Sequence, residues 1–129
     1  PKSHWEDTFG VKQHWAKEVK EQGVDAIIEK IQAQLKSENI DELYVSFDID
    51  ALDEQFAAAT GTPEPDGLSP DEALKILATL AKDYRITGAD MMEIAPFTDS
   101  SGLGKESQEC TLKAGGDLSA FLIDELNKS

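Results

Sequence analysis

A chain of 129 residues, 40% of them apolar, carries enough hydrophobic side chain for one core, which excludes wholesale disorder. Acidic residues outnumber basic ones 26 to 12, and the net charge of −14 argues against a nucleic-acid backbone or an anionic membrane as the partner. The single cysteine, Cys110, excludes an internal disulfide framework and points to a reducing, cytoplasmic setting.

No secretory signal pattern and no apolar run near the ~20 residues of a membrane span is found. Opening on Pro1 rather than Met, the chain reads as a processed product or a piece of something longer. Pro1 to Gly10 shows no clear period and is expected as loop. Val11 to Gln22 is ambiguous: "VKQHW" suits a short strand and "AKEVKEQ" a turn or two of helix, with Gly23 as punctuation. Asp25 to Lys36 predicts a helix, because Ile27, Ile28, Ile31 and Leu35 form one apolar stripe. Leu43 to Phe47 is dense in β-formers and predicts a strand.

Ala51 to Leu68, rich in Gly, Pro and Thr, is a long loop of the kind that is often functional. "SPDE" then sets Ser69 at an N-cap, Pro70 at the first helical position and Glu72 where a capping box needs it. Leu74, Leu77 and Leu80 give that helix its buried face. Arg85 to Ile94 predicts a second strand, ended by Pro96. Lys105 to Asn127 is helical, with Gly115-Gly116 as the place for an interruption.

This order predicts an α/β fold with a parallel sheet, whose ligands gather at the carboxyl ends of the strands. Asp48/Asp50 and Asp90/Glu93 lie at those ends. Two strands leave an open edge, so the chain reads as incomplete or as paired with something.

"SFDIDALD", Ser46 to Asp53, concentrates the charge. Strand pleating would put Asp48 and Asp50 on one side and Phe47 and Ile49 on the other. Two close carboxylates force one to protonate unless a cation or water intervenes. Oxygen-rich sites suit Mg²⁺, Ca²⁺ or Mn²⁺, while a solvated strand-end pair explains most isolated Asp-x-Asp sequences. An EF-hand loop is excluded, because Asp53 and Ala59 stand where it needs Gly and Glu. Cys110 has no activating neighbour that would make it a nucleophile. His4 and His14 precede every acidic motif and are read as surface or packing residues.

"FDID" resembles the opening motif of the haloacid-dehalogenase-like phosphatases, which would make Asp48 a nucleophile working with Mg²⁺. Ala51-Leu52 stands where that motif continues with Gly-Thr or Thr. "SFDIDALD", "ATGTPEPDGLS" and "GADMMEIAP", in this order and spacing, resemble the ureohydrolases: arginase, agmatinase, formiminoglutamase and their relatives. These are manganese enzymes that hydrolyse guanidino and related amidine groups. The resemblance extends back through "GVKQHWAKEVKEQGVDAIIEKI" and covers almost all of this chain, but only the C-terminal part of a family member.

The resemblance implies a three-layer α/β/α fold with a parallel sheet, with at least two strands and three helices here. Residues 1–129 would form a single domain, the C-terminal part of an arginase-like one. It implies two Mn²⁺ ions per complete site, with Asp48 bridging them and Asp50 a terminal ligand of the second. Thr62 and Glu93 match substrate-side positions, Glu93 pairing with a guanidinium through a two-pronged hydrogen bond. Asp90 matches a carboxylate that orients a metal-binding histidine, and Asp53 one that supports the loop.

No catalytic residue is expected in this chain, because the family's remaining ligands and its proton-shuttling histidine lie upstream. Alone, the chain is expected to bind Mn²⁺ weakly and not to turn over. The resemblance also implies a small guanidino or amidine substrate and a homo-oligomer, a trimer or hexamer. A non-catalytic oligomerisation module is the remaining reading. Two departures bear on loop rigidity: Glu54 stands where the family usually has Pro, and "AAATGTP" lacks the usual Ala-Pro.

Overall fold

The computed structural model describes residues 2–97 and 104–128. Among them are α1 (Lys2–Phe9), α2 (Ala16–Gln22), α3 (Val24–Ser37), β1 (Glu42–Asp48), α4 (Pro70–Asp83), β2 (Arg85–Met92) and α5 (Lys105–Asn127). A single 3₁₀ turn, Ile49–Ala51, follows β1 directly. The α/β class and the parallel pairing are as expected.

Helix α4 starts where its capping residues place it. Ser69 Oγ accepts the Glu72 N–H at 3.1 Å, and Glu72 Oε2 accepts the Ser69 N–H at 2.8 Å. Such a cap contributes about 1 kcal/mol. The helix carries the chain from β1 to a parallel β2, and Ala73, Leu77 and Leu80 are its buried residues.

Three local expectations are corrected. Residues 2–9 form a helix rather than a loop. It buries no side chain, so no apolar period marks it; the rings of His4, Trp5 and Phe9 cluster on its surface instead. Lys2 Nζ ties α1 to α2 through Glu18 at 2.8 Å. "VKQHW" is irregular rather than a strand, and its last residue, Trp15, donates its N–H to Glu18 Oε2 as α2 begins. Helix α5 runs unbroken through Gly115-Gly116. Gly115 is there for closeness: a Cβ would fall 2.5 Å from Ile94 Cδ1.

The sheet has two unlike faces. Leu43 lies opposite Ile86, Val45 opposite Ala89 and Phe47 opposite Met91; of these, Ile86, Val45, Ala89, Phe47 and Met91 join the core with Leu77, Leu118 and Leu122 of α4 and α5. The alternate residues pair as Tyr44 with Gly88 and Ser46 with Asp90, and Thr87 is the extra residue of a bulge in β2. This second face stays open: Tyr44 is 67% exposed and Met92 47%.

The loop after β1 closes on itself. Asp53 N–H donates to the Leu68 carbonyl at 2.8 Å, Leu68 N–H to Ala51 at 2.9 Å, and Glu54 N–H to Glu64 at 3.0 Å. Gly67 permits that approach, since a Cβ there would sit 2.5 Å from Asp53 N and Leu52 C. Backbone cannot yield as a side-chain tip can. Gly67→Ala is therefore expected to lose about 2–3 kcal/mol. Gly115→Ala meets only the end of Ile94 and gains about 1 kcal/mol of helix propensity, so it stays within about 1 kcal/mol of the parent. Denaturant midpoints measure both; a Gly67→Ala chain as stable as the parent would refute the close approach.

Candidate metal and substrate site

The carboxyl ends of β1 and β2 bring four of the expected residues together. Asp48, half-buried, closes β1, and its Oδ1 accepts the Asp50 N–H at 3.1 Å. This is the geometry of an N-cap, not of strand alternation. Asp50 rides on the 3₁₀ turn, because Ile49 and Leu52 turn fully into the core and end the pleat. The expectation that pleating alone aligns the two carboxylates is corrected accordingly.

Thr62 Oγ1 donates to Asp50 Oδ2 at 2.6 Å. Glu93 follows β2 with a φ of +64°, in the left-handed region that a residue with a side chain rarely adopts. Its Oε2 lies against Gly61, 3.6 Å from where a Cβ would stand. Glu93 thus meets the loop one residue before Thr62. Burial pushes the Asp48 carboxyl above its ordinary range; the Asp50 N–H opposes this, and the Asp50 and Glu93 carboxylates add to it.

Asp90 is engaged one register step back along the strands. Tyr44 Oη donates to its Oδ2 at 2.8 Å and Ser46 Oγ to its Oδ1 at 2.7 Å. These hydroxyls, Ser46 foremost, hold its carboxyl below the usual range, and the same contact raises the Tyr44 hydroxyl. Each carboxylate oxygen keeps a lone pair for a further donor. Asp53 turns back to its own loop, where Oδ1 accepts the Gln55 N–H at 3.0 Å and its carboxyl is lowered chiefly by that bond.

Sequence reasoning missed Tyr44 and Ser46 as partners of Asp90. The available signal was strand alternation, which puts residues 44, 46 and 48 on one face. Gly61 lies inside the quoted Gly-Thr-Pro motif, but its approach to Glu93 is set by the fold and carries no sequence signal.

Asp48 and Asp50 suit part of an oxygen donor set for a hard divalent cation. Among the described residues no group of three or more His, Cys, Asp or Glu side chains converges as a metal site. A hard cation takes about six oxygen ligands, so these residues do not by themselves complete a two-ion centre. The histidines lie elsewhere: His4 packs edge-on against Trp5 and Phe9, and His14 is half-buried, with burial lowering its pKa.

Comparison with known proteins gives the family and the fold. The model of the Arginase family matches residues 2–119. The agmatinase of Chromobacterium violaceum is 43% identical over 98 residues, covering 75% of this chain and 29% of that protein. The structure of the Bacillus caldovelox arginase superposes with a TM-score of 0.70 at 27% identity, covering 96% of this chain and 38% of that one. The proclavaminate amidino hydrolase of Streptomyces clavuligerus gives 0.69 at 29% identity, covering 98% and 38%. The chain therefore spans well under half the length of these relatives.

The raised Asp48 carboxyl has a consequence for stability. An acid with a folded pKa above its unfolded value binds more protons when folded. Its contribution is thus present at low pH and is lost as pH rises from the ordinary carboxylate pKa of about 3.9 through the raised one. Asp48→Asn keeps an oxygen for the Asp50 N–H but removes the charge. In chelator-treated buffer it should melt higher than the parent at pH 7, and the difference should vanish at pH 3. Thermal melts at both pH values check this, and equal melting at pH 7 would rule it out.

Proposed function

Because the chain belongs to the arginase family, we propose that it is the C-terminal portion of an enzyme that hydrolyses a guanidino or related amidine C–N bond. Convergence of Asp48, Asp50, Thr62 and Glu93 at the carboxyl ends of two parallel strands carries this reading. Family membership sets aside the phosphatase alternative. Asp48 and Asp50 would hold manganese with donors from outside these 129 residues, and the metal supplies the Lewis acid for hydrolysis.

The rest concerns what this chain's residues do. Glu93, exposed at the rim, offers a carboxylate to a planar guanidinium, the best-matched cation for a two-pronged bond. Thr62 fixes one oxygen of Asp50 and so orients the other. The carboxylates make the mouth attractive to a cationic substrate before contact. Asp90, held by Tyr44 and Ser46, keeps a lone pair that would be free for a histidine from outside these 129 residues. Agmatine is the first substrate to try, given the agmatinase likeness, and arginine the second. A cytoplasmic homo-oligomer, trimer or hexamer, completes the proposal. The free, exposed Cys110 suits a reducing compartment. Among the described residues no helix is long and apolar enough to cross a membrane.

Expression together with the coding sequence upstream of Pro1 tests the reading by urea release in the presence of Mn²⁺. Glu93→Gln should lower kcat/KM by about 100-fold, as loss of one partner of a two-pronged, charge-assisted bond does. Asp48→Ala should abolish turnover. The 129-residue chain alone should bind Mn²⁺ weakly and release no urea. Robust turnover by that chain alone, or an unaffected Glu93→Gln enzyme, would sink the proposal.

A further inference from the structure

We propose that Thr111, on α5 and distant in sequence from every acidic motif, is a positioning residue that holds Thr62 against Asp50 through the backbone of Ala59. The proposal rests on the reading above for its functional meaning and on geometry for its content. Thr111 is fully buried. Its Oγ1 donates to the Ser107 carbonyl one turn back at 2.8 Å, which commits the hydroxyl proton to the helix. The remaining lone pairs face the loop, and Oγ1 accepts the Ala59 N–H at 3.0 Å.

Ala59 is itself fully buried, and its carbonyl accepts the Ala95 N–H at 3.0 Å. The Ala59 residue is therefore held from both sides. One side is α5, through Thr111. The other is the exit of β2, two residues past Glu93. Three residues on, Thr62 reaches Asp50 Oδ2 at 2.6 Å. A buried N–H that loses its only acceptor is costly, so the loop would move to find another partner. Movement of Ala59 shifts Gly61 and Thr62 against Glu93 and Asp50. Gly115 lies one turn further along the same helix and admits Ile94, so α5 secures both halves of the mouth.

Thr111→Val keeps the shape and removes the hydroxyl; Thr111→Ser keeps the hydroxyl; Thr111→Ala serves if valine is not tolerated. The test uses the 129-residue chain by NMR at pH 7, so it does not depend on turnover. In the valine variant the Ala59 amide should exchange on the order of 10- to 100-fold faster than in the parent, relative to the core amides of Ile86 and Leu118. The Asp50 carboxyl-carbon resonance should move in the same direction as in Thr62→Val. The double variant should move it no further, and Thr111→Ser should restore it.

A folded Thr111→Val or Thr111→Ala chain whose Asp50 resonance stays at the parent position, while Thr62→Val shifts it, overturns the proposal. Additive shifts in the double variant do the same. In the longer protein, Thr111→Val should lower kcat/KM for the amidine by about tenfold, with recovery in Thr111→Ser. If the parent of that longer protein releases no urea, the hydrolase reading falls, and the Asp50 resonance still decides the role of Thr111.

Discussion

Ile49 and Leu52 are fully buried, and the carboxylates of Asp48 and Asp50 are carried on the turn that these two side chains anchor. Each such burial contributes about 1.5–3 kcal/mol. Two like unit charges 4 Å apart repel by about 1 kcal/mol in water and about 4 kcal/mol near a protein surface. Burial of the pair, about 3–6 kcal/mol together, is of the same order as a repulsion of that size. The turn forms because its hydrophobic ends are drawn inward, and the charges are left where the turn places them. Everything at the mouth follows: the cap on Asp50, the bond from Thr62 and the upward shift of Asp48.

The second strand shows the same logic with a different cost. Glu93 takes a left-handed backbone, which for a residue with a side chain costs on the order of 1–3 kcal/mol. It is over-determined from both sides. Met92 ends the ladder opposite Asp48, and Ile94 seats against Gly115. Between those fixed points the chain must turn, and the turn sends the Glu93 carboxylate toward Gly61. The strain falls on a residue that faces the loop and not the core, and the packing on either side sustains it.

Much of this was legible in the sequence, for a physical reason. Leu43–Phe47, Arg85–Ile94 and the helix from Ser69 announce themselves through alternation, apolar periodicity and a capping box, all of which act over a few residues. The acidic residues stand out because few folds tolerate them in such a place. Helix α1 escaped notice because it buries nothing and leaves no period. The unbroken α5 was unexpected because Gly115 answers to Ile94, a contact across 21 positions of sequence. Thr111 was invisible for the same reason: nothing near it in sequence says that a loop amide 52 residues away needs an acceptor. Asp48 and Asp50 meet on a 3₁₀ turn and not along a pleated strand, because Ile49 brings the strand to an end.

Glu54 stands where the family resemblance implies a proline. Its N–H instead donates to the Glu64 carbonyl at 3.0 Å, a bond that proline cannot make. The two solutions differ in kind. Proline removes freedom from the unfolded chain, an advantage that persists when the native contacts weaken. A hydrogen bond acts only while the fold is intact and yields to heat and denaturant along with it. A mouth tied in this way is firm under working conditions and is released together with its surroundings, so its order is tied to a narrower temperature range than a proline-stiffened counterpart would have.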